Sequence, residues 1–283
     1  MWKQKLGISL GNHYDIPTVE VVDIVHSVGF DAVSPEWEDC DDLAALAEYA
    51  RSLGMAVQSV HAPYGGAAKM WSEDPAVYTP VLDELTRVLD DCHAIGAPVV
   101  VMHAWIGFDN IPAPTQCGID HYRILVDRAR AYGMKIAFEN TEGEDHLFAL
   151  LDAFADCDNV GYCWDSGHEM CYNHSMDLLG MYGSRLIMTH VNDNLGISRF
   201  DGRTFWTDDL HLLPYDGVGD WDYNIARLKK SAALEYLNFE LLNASKPDRH
   251  ENDAYAAMTL TEYFTAAYMR ACRIAYRLTR SEK

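Results

Sequence analysis

Hydrophobic and polar positions in the first half of the chain repeat one unit: an amphipathic stretch, an apolar residue, a glycine and a short apolar run. The unit occurs as HSVGFDAV, RSLGMAV, HAIGAPVVVM and RAYGMKIAF. Before the third glycine, apolar residues from Leu82 to Ile95 follow the three-and-four spacing of a helix face. A glycine after such a stretch ends a helix in the left-handed conformation without steric cost. The pattern therefore predicts helices that end at Gly29, Gly54, Gly96 and Gly133.

The apolar runs are continuous rather than alternating, which is typical of strands buried on both faces of a parallel sheet. Eight strands are predicted, near Leu6–Leu10, Ala32–Ser34, Ala56–Val60, Val99–Met102, Lys135–Phe138, Val160–Trp164, Leu186–Thr189 and Leu237–Phe239. Strand alternating with helix eight times over about 250 residues is the signature of an α/β protein with a (β/α)8 TIM barrel. The alternative is a doubly wound open sheet, but no glycine-rich phosphate loop follows the first strand.

The length of 283 residues, with 49% apolar, suffices for one large core. No linker-like tract marks a boundary, so we expect a single TIM-barrel domain over 1–283 with a C-terminal helix at about 252–279. No stretch reaches the roughly 18 apolar residues of a membrane helix, and the N-terminal apolar run is too short for a signal peptide. Seven cysteines without a CxxC pair predict reduced thiols and a cytoplasmic protein.

The net charge indicates which classes of partner suit this protein. There are 22 Lys and Arg residues against 43 Asp and Glu residues, a net charge of −21. Such a surface lacks the basic footprint that neutralises phosphates, which disfavours nucleic acid as a partner. A small-molecule substrate is favoured instead, and a homo-oligomer stays open.

In a TIM barrel the active site lies at the carboxyl ends of the strands. Every predicted strand from the third to the eighth ends in an imidazole or a carboxylate, and the seventh loop adds DDLHLLPYDGVGDW. Five imidazoles and four carboxylates without a thiolate suit one to three divalent ions, with Zn or Mn favoured. Any one of these residues alone is a common cap or packing residue, but nine at equivalent positions favour a metal site. The nine are His61, His103, Glu139, Asp165, His168, His190, Asp209, His211 and Glu240.

Further residues near the strand ends predict the walls of a substrate pocket. Sugar rings pack on aromatic faces, although each aromatic residue also fits the packing of helices on the barrel. His13 follows the first strand and Asp193 follows the seventh. The predicted pocket residues are His13, Trp37, Tyr64, Trp105, Trp164 and Asp193.

These motifs resemble the xylose-isomerase-like TIM-barrel superfamily, which includes sugar and sugar-phosphate isomerases and epimerases and the apurinic/apyrimidinic (AP) endonuclease family 2. The resemblance runs from KLGISL to LNFELL, and WDSGH, HVNDN and DLHLLPYDGVGDW are its most specific parts. It implies an epimerase-type metal held by Glu139, Asp165, His190 and Glu240. The other five candidate ligands match the further ligands of the endonuclease branch, which holds three zinc ions.

The resemblance implies a metal-dependent isomerase or epimerase of a sugar, sugar phosphate or related polyol that transfers a proton through an enediolate. IAFENT has no lysine beside Glu139, which disfavours the hydride shift of the xylose isomerases proper. Glu139 and Glu240 are the candidates to remove and return the proton, and His168 can donate to a substrate oxygen if it is not itself a metal ligand. The alternatives are an endonuclease or phosphodiesterase of the AP endonuclease family 2 type, a sugar dehydratase or lyase, and a metal-binding barrel without catalysis.

Overall fold

A computed structural model describes residues 4–11, 14, 16–38, 40, 42–199 and 201–280. Its strands are β1 (Lys5–Ser9), β2 (Ala32–Ser34), β3 (Ala56–Val57), β4 (Val60–His61), β5 (Val99–His103), β6 (Lys135–Glu139), β7 (Val160–Asp165), β8 (Leu186–His190) and β9 (Tyr236–Phe239). Its helices are α1 (Thr18–Val28), α2 (Leu43–Ser52), α3 (Pro75–Ala94), α4 (Gln116–Ala131), α5 (Glu144–Ala153), α6 (Ser166–Cys171), α7 (Leu178–Tyr182), α8 (Trp221–Leu228), α9 (Asp253–Ala256) and α10 (Leu260–Thr279).

The strands pair in parallel as two sheets, in the orders β3-β2-β1-β9 and β4-β5-β6-β7-β8. Two parallel bridges join the sheets, Glu36 with His61 on one side and Val191 with Phe239 on the other. Backbone hydrogen bonds at both joints close the cylinder, including that from the His61 amide to the Pro35 carbonyl at 2.9 Å. The predicted (β/α)8 barrel is therefore confirmed, and the helices surround it.

The third predicted strand, 56–60, is two short pieces because the chain changes partners there. Ala56 and Val57 pair with β2, whereas Val60 and His61 pair with β5. Between them, the side chains of Gln58 and Ser59 make buried hydrogen bonds that occupy the interior of the barrel. The strand thus forms the seam between the two sheets.

The C-terminal helix is shorter than expected from the sequence. Instead of one helix at about 252–279, the chain forms α9, a break, and then α10. Thr259 caps α10, since its hydroxyl accepts from the Glu262 amide and the Glu262 carboxylate accepts from the Thr259 amide. This capping box fixes the start of α10 at Leu260.

Other sequence expectations agree with the structure. Each of the four repeat glycines has a positive φ, between 68° and 113°. All seven cysteines lie in the described part of the chain and are free thiols. Across the described ranges, no helix is both long enough and apolar enough to cross a bilayer.

One side of the barrel interior is polar and hydrogen-bonded. Asn238 on β9 donates to the Ser9 hydroxyl and accepts from the Gln58 amide, and all three side chains are buried. Gly7 makes room for them, because a Cβ atom there would lie 2.0 Å from Gln58 Nε2 and 2.9 Å from Asn238 Oδ1. A buried polar layer of this kind is stable only when its groups are paired.

Gly7→Ala is therefore expected to destabilise the fold, since the new methyl group must displace Gln58 and break its hydrogen bond to Asn238. The expected loss is about 1–3 kcal/mol in the free energy of unfolding, measured by urea denaturation. Gly65→Ala is the matched control, because none of the described atoms lies within 4 Å of a Cβ atom at that position. Equal stability of the two variants would show that the layer tolerates the added volume.

Candidate metal centre

The strand register places the candidate ligands on one layer of the barrel interior. His103 pairs with Glu139 across β5 and β6, and Asp165 pairs with His190 across β7 and β8. Partners in neighbouring parallel strands point the same way and lie about 4.8 Å apart. Two residues earlier on each strand, and so on the same face, lie the buried members of a small apolar cluster: Val101, Ala137, Cys163 and Met188. The polar layer therefore rests directly on an apolar one.

Glu139 is the centre of this layer and is 1% exposed. Its Oε2 atom lies 3.2 Å from His61 Nε2 and 3.4 Å from His103 Nε2. Its Oε1 atom lies 3.0 Å from His190 Nδ1 and 3.3 Å from His168 Nδ1. Each carboxylate oxygen thus faces a different pair of imidazoles.

Asp165 connects the end of β7 to the next helix. Its Oδ1 atom accepts from the His168 amide at 2.7 Å and caps α6, and its Oδ2 atom accepts from the Asn192 side chain at 2.8 Å. The cap fixes the position of His168 relative to Asp165. The WDSGH motif therefore brings a carboxylate and an imidazole to the rim of the barrel together.

Backbone carbonyls orient two of the imidazoles. His61 Nδ1 lies 2.8 Å from the Ala62 oxygen, and His168 Nδ1 lies 3.0 Å from the Asn140 oxygen. A carbonyl oxygen can only accept, so Nδ1 carries the proton in both rings and Nε2 points into the site. Such outer hydrogen bonds are typical of imidazoles that bind metals.

The seventh loop folds over the layer and adds two residues to it. His211 Nε2 lies 2.9 Å from Asp209 Oδ1, and Asp209 Oδ2 lies 3.4 Å from His168 Nε2. His211 adopts a φ of 47°, a left-handed conformation that favours glycine. Strained residues of this kind cluster at functional sites, where the surroundings hold them in place. The strained backbone conformation of His211 thus places its imidazole ring beside Asp209.

Asp193 holds this loop and does not line the pocket, contrary to the sequence expectation. Its buried carboxylate accepts from the amides of Tyr215 and Gly219 at 2.9 and 3.0 Å and from the Trp221 indole at 2.8 Å. With those donors the carboxylate is saturated, so its role is to fix the path of the loop after His211.

Burial and charge shift the pKa values of the layer in opposite directions. Burial alone would raise the pKa of Glu139, but the charge of His190 and the hydrogen bond from His103 hold that pKa well below its ordinary value. Burial, with the charges of Glu139 and Asp165, raises the pKa of Glu240 well above its ordinary value. Burial lowers the pKa of His103 to about 4. The neighbouring imidazoles therefore do not offset the cost of an ionised Glu240.

A divalent cation fits this arrangement. Several donor atoms are buried without a hydrogen-bond partner in the described part of the chain: His103 Nδ1, Glu139 Oε1, His190 Nδ1, Asp209 Oδ1 and His211 Nδ1. His190 Nδ1 and Glu139 Oε1 lie 3.0 Å apart without forming a hydrogen bond. Buried imidazole nitrogens and carboxylate oxygens that lack hydrogen-bond partners are the kind of ligand atoms that a metal ion requires.

Three groups of side chains bring their donor atoms within 4.8 Å of one another and use the predicted ligands. Asp209 joins the third group through its contacts with His168 and His211. All nine predicted ligands therefore meet in one centre, and Glu139 belongs to two groups. The groups are His61, His103 and Glu139; Glu139, Asp165, His190 and Glu240; and Asp165, His168 and His211.

A cavity of about 370 Å³ opens from this layer to solvent. Its walls include Tyr64, Phe108, Tyr172, Trp206 and Lys246. Tyr64, predicted as a pocket residue, stacks on His103 with 4.7 Å between ring centroids. The cavity thus combines metal-ligand chemistry at its base with aromatic walls.

Sequence reasoning missed several lining residues, of which Glu36 had a readable signal. Glu36 follows β2 in SPEWED, so it lies at a strand end, as His103 and Glu139 do. Its carboxylate packs against Gly11, where a Cβ atom would lie 1.8 Å from Oε1. Phe108, Tyr172, Trp206 and Lys246 lie beyond strand ends, in segments whose path the sequence does not reveal.

Three predicted aromatic walls lie elsewhere, and each has a partner that explains its place. The Trp37 indole donates to Asp91 at 2.9 Å, between α2 and α3. Trp105 stacks on His146 behind the rim, with 4.3 Å between centroids. Trp164 is fully buried and donates to Glu169 at 3.1 Å. These tryptophans pack helices and loops onto the barrel. His13 lies outside the described residues.

The chain belongs to the xylose isomerase-like TIM barrel family, whose profile matches residues 22–261. It is 33% identical over 214 residues to the Sinorhizobium fredii protein y4fM, covering 69% of this chain and 58% of that protein. It is 27% identical over 146 residues to "Probable endonuclease 4" of Mycoplasma pneumoniae, covering 48% of this chain and 49% of that protein. The chain thus spans roughly half the length of these curated relatives.

Solved structures share the fold at low identity. The zinc-bound IolI protein superposes with a TM-score of 0.77 and 19% identity, covering 99% of this chain and 100% of that one. D-psicose 3-epimerase, solved in the presence of D-fructose, superposes with a TM-score of 0.73 and 14% identity, covering 98% and 100%. These similarities establish the fold.

The geometry predicts that the protein, purified without chelator, carries about two or three divalent ions per chain, measured by inductively coupled plasma mass spectrometry. His103→Ala should lose about one ion, because it removes one imidazole from the group with His61 and Glu139. His250→Ala is the control, since that side chain is 85% exposed and pairs only with Asp253 among the described residues. A single ion would indicate the four-residue group alone. No bound ion at neutral pH, even after adding Zn or Mn, would contradict the assignment.

Proposed function

We propose that this protein is a metal-dependent isomerase or epimerase of a small sugar, sugar phosphate or related polyol. One observation carries the proposal: two glutamates from different strands flank the same imidazole at the base of the cavity. Glu139 Oε1 lies 3.0 Å and Glu240 Oε2 lies 3.3 Å from His190 Nδ1. Two carboxylates on either side of one bound carbon can remove and return its proton.

A divalent ion held by Glu139, Asp165, His190 and Glu240 would act as a Lewis acid that stabilises the negative charge of an enediolate. The protein's own groups then handle the proton. One glutamate takes the proton from the carbon next to the carbonyl, and the other delivers a proton to the neighbouring carbon or to the opposite face. His168 Nε2 points into the cavity, and where the ring is doubly protonated and not itself a metal ligand it can donate to a substrate oxygen.

The walls of the cavity suit a carbohydrate. Tyr64 and Tyr172 stack on His103 and His168, with centroids 4.7 and 4.8 Å apart, so each presents an aromatic wall beside the ligand layer. Aromatic planes bind the apolar faces of sugar rings, while carboxylates and imidazoles bind hydroxyl groups. The superfamily's solved sugar epimerases support the same class of substrate.

Glu240→Gln should lower the turnover of an active ketose by about 10²–10⁴-fold, because it keeps the shape of the side chain and removes the base. The assay follows ketoses and ketose phosphates in D₂O by NMR, where the wild type should introduce deuterium next to the carbonyl and the variant much more slowly. Unchanged turnover would show that Glu240 does not handle the proton, and turnover without exchange would indicate a hydride shift.

Glu235→Gln is the matched control for this test. Glu235 and Glu240 flank the two ends of β9, but Glu235 is exposed and pairs with Lys5 at the opposite end of the barrel. Its substitution should leave both turnover and exchange unchanged. Metal content measured on both variants separates loss of the base from loss of the ion.

A second candidate function is hydrolysis of phosphodiesters in DNA. It is favoured by the three groups of donor atoms and by the similarity to the endonuclease relative. The net charge of −21 opposes it, since binding to duplex DNA depends on cationic contacts with phosphates. The cavity also presents Glu36, Glu142 and Glu240 near its walls, and such a lining repels a phosphate backbone.

The metal-loaded protein is accordingly expected not to bind or cleave an abasic DNA duplex at low salt, where any electrostatic attraction is strongest. Binding is measured by fluorescence anisotropy with a labelled duplex, and cleavage by gel electrophoresis. The matching undamaged duplex is the control for non-specific association. Cleavage that is specific for the abasic site would replace the isomerase proposal with the nuclease one.

A further inference from the structure

A row of aromatic side chains leads from the metal centre to the outer edge of the cavity. Tyr172 stacks on the ligand His168, and the edge of the Phe108 ring meets Tyr172 with 5.3 Å between centroids. Phe205 follows at 6.0 Å from Phe108, and Trp206 at 6.1 Å from Phe205. We call Phe108, Phe205 and Trp206 the aromatic rim.

Two of the three residues of the aromatic rim are exposed although they are apolar. Phe205 is 41% and Trp206 is 43% exposed, and Trp206 and Phe108 line the cavity. Tyr64 and Tyr172 stack on ligand imidazoles, whereas the aromatic rim lies one to three rings further along this row. Contiguous apolar groups beside a cavity generally mark a binding surface.

The loop that carries the rim is held in place by buried polar contacts. Asp208, which is fully buried, pairs with Arg249 at 3.3 Å, and Arg249 also donates to the Thr207 carbonyl at 3.1 Å. The Asn194 side chain donates to the Asp208 carbonyl at 2.9 Å. Trp206 directly precedes Thr207, so these contacts fix its position before any ligand binds. A side chain that is already fixed lowers the entropic cost of binding.

Lys246 adds polar donors beside the rim. Its Nζ atom lies 5.6 Å from the centroid of the Trp206 ring and 4.0 Å from Asp209 Oδ2. An ammonium group has three donors and can bind hydroxyl groups, while the ring beside it offers an apolar plane. The Trp206 ring can pack on the apolar face of a sugar ring, and the Lys246 ammonium group can donate hydrogen bonds to its hydroxyl groups.

We propose that the aromatic rim and Lys246 form a subsite for a second sugar ring, so that the substrate is a carbonyl sugar carrying a further sugar rather than a free monosaccharide. This inference rests on the proposed function and names its class of substrate. The reacting sugar occupies the ligand layer, and the second ring extends outward onto Trp206. Specificity for the longer substrate then comes from the rim, which is separate from the proton-transferring glutamates.

The test compares the affinity of the metal-loaded protein for D-fructose with its affinity for lactulose, turanose and palatinose, measured by isothermal titration calorimetry. Each of these disaccharides is a fructose unit with a second sugar at a different hydroxyl group. At least one should bind about tenfold more tightly than fructose, the scale of one aromatic packing contact. Trp206→Ala should remove that gain, so that the disaccharide binds no more tightly than fructose does, and Trp206→Phe should restore most of it.

Tyr276→Ala is the control, because Tyr276 is an aromatic residue on α10 that is 51% exposed and lies away from the cavity lining. Binding of fructose without any gain for a disaccharide would overturn the subsite while leaving the isomerase proposal intact. An equal loss for both ligands in Trp206→Ala would show that Trp206 shapes the ligand layer instead, and would also overturn it. Failure of all four sugars to bind would overturn the proposed function and this inference together.

Discussion

Four carboxylates and five imidazoles share one layer at the carboxyl end of the barrel, and the rest of the site depends on stabilising that layer away from water. Charges taken out of water are costly unless each is paired. Glu139 carries the largest share of the pairing, since its two oxygens lie within 3.4 Å of four imidazoles. The pairing is incomplete, because burial and neighbouring charges keep the pKa of Glu240 well above its ordinary value. A divalent cation bound by these side chains would supply the charge that the hydrogen bonds do not offset.

Different strands of the barrel support this layer in different ways, some by apolar packing and others by hydrogen bonds. Val101, Ala137, Cys163 and Met188 form an apolar floor directly below the ligands on β5 to β8. The opposite wall carries small hydrogen-bonded side chains such as Asn238, which need the space left by Gly7. Above the layer, the saturated carboxylate of Asp193 fixes the loop that presents His211 in its left-handed conformation. The ligands are thus held from below by packing and from above by a buried hydrogen-bond network.

The barrel and the meeting of the six candidate ligands at strand ends follow from two regular features of the sequence. The glycine-terminated helices fix the alternation of elements, and parallel strands direct all their carboxyl ends to one rim. Residues at strand ends, such as His103 and Glu139, are therefore predictable from strand position alone. Pocket walls are different, because they depend on loops and on which way a large ring turns. Trp105 and Trp164 stand near strand ends but turn toward His146 and Glu169, whereas Trp206 reaches the cavity from a loop.

The candidate metal ligands at the strand ends do not by themselves determine which reaction the site catalyses. Sets of histidines and carboxylates at this rim suit any reaction in which a metal stabilises an oxyanion, including proton transfer and phosphodiester hydrolysis. What differs is the second layer of side chains, which selects the molecule presented to the metal. Here that layer consists of aromatic planes and acidic groups with Lys246 at the edge. Apolar planes beside hydrogen-bonding groups select a ring with hydroxyls, and surplus negative charge rejects a polyanion. This combination of walls and ligand-type residues is the physical basis of the proposed carbohydrate substrate.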